Sequence, residues 1–428
     1  MKTTRRSFLA TAGAAASTLA LSQRAQAFSD GPIKIGVIGV GWYGMVDAKA
    51  AIKVGGVEIV AVCDVDSEHL KSAADELEKL QASRPKQFKD YRELLDLPEL
   101  DAVIIGTPPQ WHALPFIAAV EKGLHVYGEK PIAYDIREGQ AMVDAAKASK
   151  SIVQIGFQRR QSLALREVSE FIKKGGIGKL VQVDAQIHYR AGTGDTTPQD
   201  PPASLNWDLW SGPGPLLPYC PQIGHKSWRL EQTTGHGHLV DWGIHLIDST
   251  RMVLGLSMPK RITADGGTYY LKGKITTPDT LTAHFEFDEL PVVWRHRLWG
   301  ATEYAPETDN GIFFYGDEAT VLAADQKWVL IPKAKTADRE THDVPADLGT
   351  LHMANFLDAV RTGARLACPI EDAAKSTAMV QLGTIAYETH SVVKWDEAAQ
   401  QIVDNPEAAK LLKREYRAPY KHPYPYKA

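Results

Sequence analysis

Three cysteines in 428 residues leave no disulfide framework to hold this chain together. Cys63 ends an apolar run, so only Cys220 and Cys368 could pair, and free buried thiols are the simpler reading. Positive charge is not in surplus: 48 Lys and Arg against 52 Asp and Glu give a net charge of −4, which argues against nucleic acid or an anionic membrane as partner. Residues 10–21 form a mildly apolar, alanine-rich run, too short and too weak to be a good membrane span. No low-complexity tract and no internal repeat stands out. With 44% hydrophobic and 23% charged residues, the composition is that of a globular protein large enough for two domains, each with its own core.

The first 27 residues read as an export signal. Thr4-Arg5-Arg6-Ser7-Phe8-Leu9 is a twin-arginine signature, 10–21 its apolar core, and Ala25-Gln26-Ala27 a small-x-small cleavage site. Cleavage would remove Lys2, Arg5, Arg6 and Arg24 and no acid, taking the net charge from −4 to −8. The expectation is a periplasmic or otherwise exported protein, partnered in transit by the twin-arginine machinery and not inserted in the membrane after cleavage. That route carries folded proteins, often because a cofactor must be loaded beforehand.

Residues 33–64 carry the main signal. An apolar β-branched run, 33–38, leads into Gly39-Val40-Gly41-Trp42-Tyr43-Gly44, then a helical stretch, then a second apolar run, 57–62, that ends at Asp64. Strand, glycine turn, helix, strand and acid is the order that a dinucleotide site requires. Gly39 permits the tight turn, Gly41 lets backbone approach a pyrophosphate, and Gly44 lets the helix lie close on the sheet. Asp64 stands where a carboxylate accepts from the adenosine ribose hydroxyls and repels the extra phosphate of NADP, so NAD is the expected cofactor and NADP the lesser one. Outside the cytoplasm no diffusible pool exists, which implies a tightly bound cofactor recycled on the enzyme.

Strands and helices keep alternating to residue 157. A helix is expected over 67–80 with Ser67 as its N-cap, and strands over 101–106, 124–127 and 152–155. The fold class is α/β: an N-terminal doubly wound Rossmann domain, 28–157, followed by an α+β domain, 158–400, with an open, mostly antiparallel sheet. The strands of that sheet are expected over 179–188, 261–269, 280–287, 292–299, 311–315, 319–323 and 328–331, with helices over 351–361 and 371–393 that pack back on the first domain. A C-terminal helix and a Pro/Tyr-rich tail occupy 401–428. The connection 189–229 is long, but its Trp207, Trp210 and Trp228 argue against disorder.

In its motifs the chain resembles the Gfo/Idh/MocA family, the glucose-fructose oxidoreductases, inositol dehydrogenases and their relatives. The resemblance rests on Gly39 to Gly44, on Thr107-Pro108-Pro109 with His112, on Gly128-Glu129-Lys130-Pro131, and on Asp241-Trp242-Gly243-Ile244-His245. It implies a homo-oligomer, and the tail, with three prolines and three tyrosines over 419–426, reads as an extended arm on a neighbouring subunit. It implies cofactor contacts at Gly39, Gly41, Trp42, Tyr43, Gly44, Asp64, Thr107, Pro108, His112, Glu129 and Lys130. It also implies catalytic roles: His245 as base toward a substrate hydroxyl, Lys130 stabilising the reacting oxygen, Asp241 orienting substrate or His245. Four residues apart, Asp241 and His245 share a face if that stretch is helical.

Tryptophan faces in a polar loop suit a sugar ring, so Trp207 and Trp228, with Arg159, Tyr189, Arg229 and His238, are the candidate substrate contacts. His236 and His238 with Asp241 and His245 could ligate zinc, but the reading adopted here has no metal. The activity expected is hydride transfer between a sugar or polyol hydroxyl and nicotinamide. The alternatives are sugar-to-sugar exchange, an NAD-dependent glycoside hydrolase acting through transient oxidation, and a non-catalytic sugar-binding protein on the same scaffold.

Overall fold

The computed structural model describes residues 31–428 apart from 226, 303, 304 and 335. The expected export signal, 1–27, lies outside the described residues. Six parallel strands make the first sheet: β1 (Ile33–Ile38), β2 (Val57–Cys63), β3 (Lys86–Phe88), β4 (Ala102–Ile105), β5 (His125–Gly128) and β6 (Val153–Ile155), in the order β3-β2-β1-β4-β5-β6. This is the doubly wound order, in which ligands gather at the carboxyl ends of the strands beside β1 and β4. Ile33, Ile35, Val37 and Ile38 are all buried, as a strand covered by helices on both faces requires. Asp66, not Ser67, caps the helix Ser67–Gln81: its carboxylate accepts from the Glu68 N–H at 2.9 Å.

The second sheet has ten strands. Seven of them follow the expected alternation: β7 (Leu180–His188), β8 (Arg261–Gly267), β9 (Thr280–Glu286), β10 (Pro291–Arg297), β11 (Asn310–Gly316), β12 (Ala319–Ala323) and β13 (Lys327–Pro332). Three were not expected: β14 (Glu340–Asp343), β15 (Val393–Asp396) and β16 (Gln401–Val403). The order is β14-β13-β12-β11-β7-β10-β9-β8-β15-β16, and only β7 with β10 is parallel. The final helix of this domain is Ile370–Glu388, ending before β15, and the sheet itself runs past residue 400.

As expected of helices that pack back on the first domain, the two cores share buried side chains. Met353, Phe356 and Leu357, on the helix Leu348–Thr362, close over Val37, Ala48 and Tyr127 of the first domain. At about 2 kcal/mol for each large apolar side chain fully buried, that docking is worth several kcal/mol. Met379 and Leu382 likewise share one cluster with Ile132 and Ile136.

The tail lies on its own chain rather than extending away as an arm. His422 Nε2 is 3.0 Å from Asp135 Oδ2, Tyr420 packs edge-on against Trp111, and Tyr426 donates to Glu121. All three cysteines are buried and free, so Cys220 and Cys368 do not pair. No helix among the described residues is long and apolar enough to cross a membrane.

Candidate active site

At the carboxyl end of β1 the chain turns through Gly39 at φ +87°, a conformation glycine adopts without strain. A side chain at Gly44 would put its Cβ 1.9 Å from the Gly39 carbonyl oxygen. The helix Tyr43–Val54 can therefore start only where its first N–H groups lie against the turn, the arrangement that receives an anion. Asp64, just past β2, accepts from Val40 N–H at 2.9 Å and from Asp66 N–H at 3.0 Å. Both carboxylate oxygens thus steady the loops that frame the adenosine end.

A cavity of about 1240 Å³ runs from Asp64 and Arg92, past Gly39, Gly41, Trp42, Tyr43, Thr107 and Pro108, to Glu129, Lys130, Asp241 and His245. Its length, its glycine cradle and the carboxylate at one end fit a dinucleotide. Gly39, Gly41, Trp42 and Tyr43 would meet the pyrophosphate, Asp64 the adenosine ribose, and Thr107, Pro108, Glu129 and Lys130 the nicotinamide half. Gly44 does not line the cavity; its role is the close approach just described.

Lys130 stands past the end of β5, at the far end of the cavity. Its ammonium donates to the Asp241 carbonyl at 2.8 Å and to Asp241 Oδ1 at 3.2 Å, and Arg229 Nε reaches the same oxygen at 3.3 Å. Burial would raise the Asp241 carboxyl, but Lys130 and Arg229 outweigh it and hold the group well below the usual carboxylate range. His245 is fully enclosed; burial, then the charges of Lys130 and Arg159, push its imidazolium form well below 6.5, so the ring is neutral at pH 7. The turn carrying Asp241, Leu239–Gly243, is π-helical and the α-helix proper begins at Ile244, a feature frequent at functional sites. Asp241 and His245 nevertheless face one cavity.

The candidate substrate contacts divide. Tyr189, Trp228, Arg229 and His238 line the cavity near Lys130. Arg229 sits between aromatic faces, 4.3 Å from the Trp228 centroid and 5.2 Å from that of Trp42. His238 is buried with neither ring nitrogen hydrogen-bonded among the described residues, and burial lowers it to about 4. Trp207 is not in the cavity wall: it stacks on Trp210 at 4.6 Å and donates its indole N–H to the Leu217 carbonyl at 2.7 Å. Its place is taken by Trp210, three residues on. Arg159 does not line the cavity either: it pairs with Asp325 at 2.9 Å and lies behind the wall, 5.9 Å from the Trp242 centroid, within reach of His245 by charge alone.

His112 does not reach the cavity. Its two ring nitrogens lie 2.7 Å from the Thr107 and Pro131 carbonyl oxygens, so it ties the turn after β4 to the turn after β5. His236 faces the Tyr134 carbonyl at 3.0 Å, and burial lowers it to about 4. The four-ligand arrangement of His236, His238, Asp241 and His245 is therefore not formed.

Sequence reasoning missed Asp47. It is buried beneath Glu129; burial, then the Glu129 carboxyl, drives Asp47 upward, and burial raises Glu129 to about 7 against the pull of Lys130. Gln158 Nε2 donates to Glu129 at 2.8 Å. A signal existed: residue 47 is in phase with the buried positions Gly44, Ala48 and Ala51 of the helix, where an acid needs an explanation. His69 and His225, which come together beside Asp64, left no such trace.

Residues 33–157 match the profile of an oxidoreductase family with an NAD-binding Rossmann fold, 165–322 that of the GFO/IDH/MocA C-terminal domain, and 330–422 that of an oxidoreductase-family C-terminal alpha/beta domain. An inositol 2-dehydrogenase of Salmonella typhimurium is 33% identical over 163 residues, 38% of this chain and 47% of that protein. A glycosyl hydrolase family 109 protein of Shewanella baltica is 29% identical over 210 residues, 42% of this chain and 45% of its own length. The matched stretch thus spans about half the length of these curated relatives. Among solved structures, a putative NADPH-dependent oxidoreductase of Desulfitobacterium hafniense superposes with TM-score 0.68 at 18% identity, covering 89% of this chain and 99% of that one. A levoglucosan dehydrogenase in complex with NADH and levoglucosan gives 0.65 at 19% identity, covering 85% and 99%. At these identities the likeness is one of fold.

Proposed function

The chain belongs to the Gfo/Idh/MocA oxidoreductase family, and from that premise we propose an exported NAD-dependent oxidoreductase that acts on a sugar or polyol hydroxyl with its dinucleotide held tightly. One observation carries the proposal: Lys130, Asp241 and a neutral His245 converge at the end of the cavity away from Asp64. A bound nicotinamide would supply the hydride acceptor. His245 takes the hydroxyl proton at a ring nitrogen, which its neutral form leaves available. Lys130 donates to the reacting oxygen as negative charge builds there, and Asp241 with Arg229 fixes where that ammonium stands.

Tyr189, Trp228 and His238 offer flat faces and polar atoms suited to a carbohydrate, in keeping with the relatives named for inositol and levoglucosan. Asp64 favours NAD over NADP. Export rests on the twin-arginine pattern alone, and tight retention follows from export.

A second reading is favoured by the family 109 glycosyl hydrolases among the relatives: glycoside cleavage through transient oxidation, with the hydride returned. The test begins with protein from the exported fraction, denatured, and the released nucleotide identified by mass. Stoichiometric NAD supports the proposal and leads to paired-sugar and aryl-glycoside assays. Aryl alcohol released without net NAD reduction selects the second reading. Protein without nucleotide that also takes up neither NAD nor NADP refutes both.

A further inference from the structure

The wall of the cavity opposite the glycine turn does not come from the first sheet. It is supplied by residues 204–225, inside the long connection between β7 and the π-helical turn. This stretch is sewn to the rim of the nucleotide half by backbone: Ser67 N–H donates to the Ser204 carbonyl at 3.0 Å, and Asn206 N–H to the Val65 carbonyl at 3.0 Å. At its far end His225 Nε2 lies 3.3 Å from Asp66 Oδ2, and its ring packs on His69 at 4.5 Å. Between these stitches, Leu209, Trp210 and Tyr219 face the cavity.

The same stretch is gripped from the solvent side by the C-terminal tail. Arg417 Nη1 donates to Asp208 Oδ1 at 2.6 Å, Nη2 to the Gly212 carbonyl at 2.9 Å, and Nε to the Gly214 carbonyl at 3.3 Å, while its own N–H reaches the Pro213 carbonyl at 3.0 Å. The tail is in turn fixed to the first domain. Arg414 N–H donates to Asp135 Oδ2 at 3.0 Å, and Arg414 Nε to Glu138 Oε1 at 2.8 Å, the latter carboxylate being fully buried. Charge-assisted and forked contacts of this kind are the strong ones.

We infer that residues 204–225 are a lid on the adenosine half of the dinucleotide site, and that Arg417 latches it shut. The inference rests on the dinucleotide reading above and names the element that retains the ligand. A dinucleotide seated between Asp64 and Lys130 has the glycine turn on one side and this lid on the other. It leaves only when the contacts at Asp66, Val65 and Ser67 part. Those contacts are held in register by Arg417, 209 residues beyond Asp208 in the chain, so release requires two separated groups of hydrogen bonds to open together. Arg417 touches neither the cavity nor the reacting end; it is a positioning residue.

The experiment reads the dissociation of NADH from full-length protein by stopped flow, with excess NAD as displacing ligand and nicotinamide fluorescence as signal. Losing the charged fork should make Arg417→Ala release NADH about tenfold faster. Arg417→Lys, which keeps a charge facing Asp208 and loses the forked contacts to the Asp208, Gly212 and Gly214 carbonyls, should fall between. His225→Ala loosens the lid at its inner edge without touching the tail, and reads the same rate should Arg417→Ala fold poorly. Off-rates unchanged from the parent in both Arg417→Ala and His225→Ala overturn the inference while leaving the dinucleotide reading intact. A parent protein that takes up neither NADH nor NADPH refutes the dinucleotide reading itself, and the lid with it.

Discussion

Asp241→Asn isolates the charge of the one carboxylate shared by Lys130 and Arg229 while keeping its shape. The side chains of Lys130, Arg229 and Asp241 are 13%, 22% and 11% exposed, so the cluster is largely but not wholly dry. Removing one partner of a fully buried pair costs about 3–5 kcal/mol. Residual solvent access and contacts of 3.2 and 3.3 Å place this case lower, at about 2–3 kcal/mol. With about 2 cal/mol/K of unfolding entropy per residue over 428 residues, that is a fall in Tm of about 3 °C at pH 7. The pH dependence fixes the cause. Asp241 has a folded pKa below its unfolded value, so its contribution is fully present above the unfolded value of about 3.9 and is lost as pH falls through the folded one. The parent and the variant should therefore differ by a constant amount between pH 5 and pH 8 and converge only in strong acid. Thermal melts of nucleotide-free protein across that range test this. Equal Tm at pH 7, or a gap that closes near neutrality, would refute the electrostatic account of the cluster.

Three further outcomes are expected. Lys130→Met should abolish turnover while nucleotide uptake persists; loss of both, or of neither, counts against the role given to Lys130. The acid limb of kcat/KM should fall well below pH 6.5, because burial keeps His245 neutral and its function is lost only as pH drops through that depressed value; a half-maximal drop at the ordinary imidazole value would show that the ring is solvated. Asp64→Ser removes the acceptor of the Val40 and Asp66 N–H groups, and should weaken NAD binding about tenfold while affecting NADP less; titration with both nucleotides, with their ratio unchanged, would dissociate Asp64 from selectivity.

What could be read in the sequence was what depends on short range. The glycine turn, the buried strands β1 and β2 and the acid after them make their demands within some thirty residues, and periodicity alone reveals seven strands of the second sheet. β3, β14 and β16 are three or four residues long, too short to show a period, and their partners across the sheet, not their own pattern, make them strands. The same boundary runs through the site. That Lys130, Asp241 and His245 would meet at one cavity was legible because each lies in a compact motif. The choice between Trp207 and Trp210 was not, since it turns on which way a five-residue helix faces once the lid is seated. His112 shows the converse error: a polar residue beside a ligand loop can serve the loop rather than the ligand.

The proposed chemistry depends on the sign of the field at the far end of the cavity, and the buried carboxyls below Lys130 decide it. Lys130 and Arg229 bring two positive charges and Asp241 one negative, leaving a positive balance toward the reacting oxygen. Were Glu129 and Asp47 both ionised, they would reverse that balance at close range. Burial instead drives both upward, and neither can ionise without raising the other, so the pair cannot carry two full charges at neutral pH. Gln158 donates to Glu129 from the side and stabilises the single charge that remains there. A single charge on the pair offsets that balance without reversing it, so developing negative charge on a substrate oxygen would meet the Lys130 ammonium with no net negative field behind it. His245 follows the same logic from the other direction: burial, and then the cations beside it, keep its ring neutral, and a neutral ring is the only form that can take the proton.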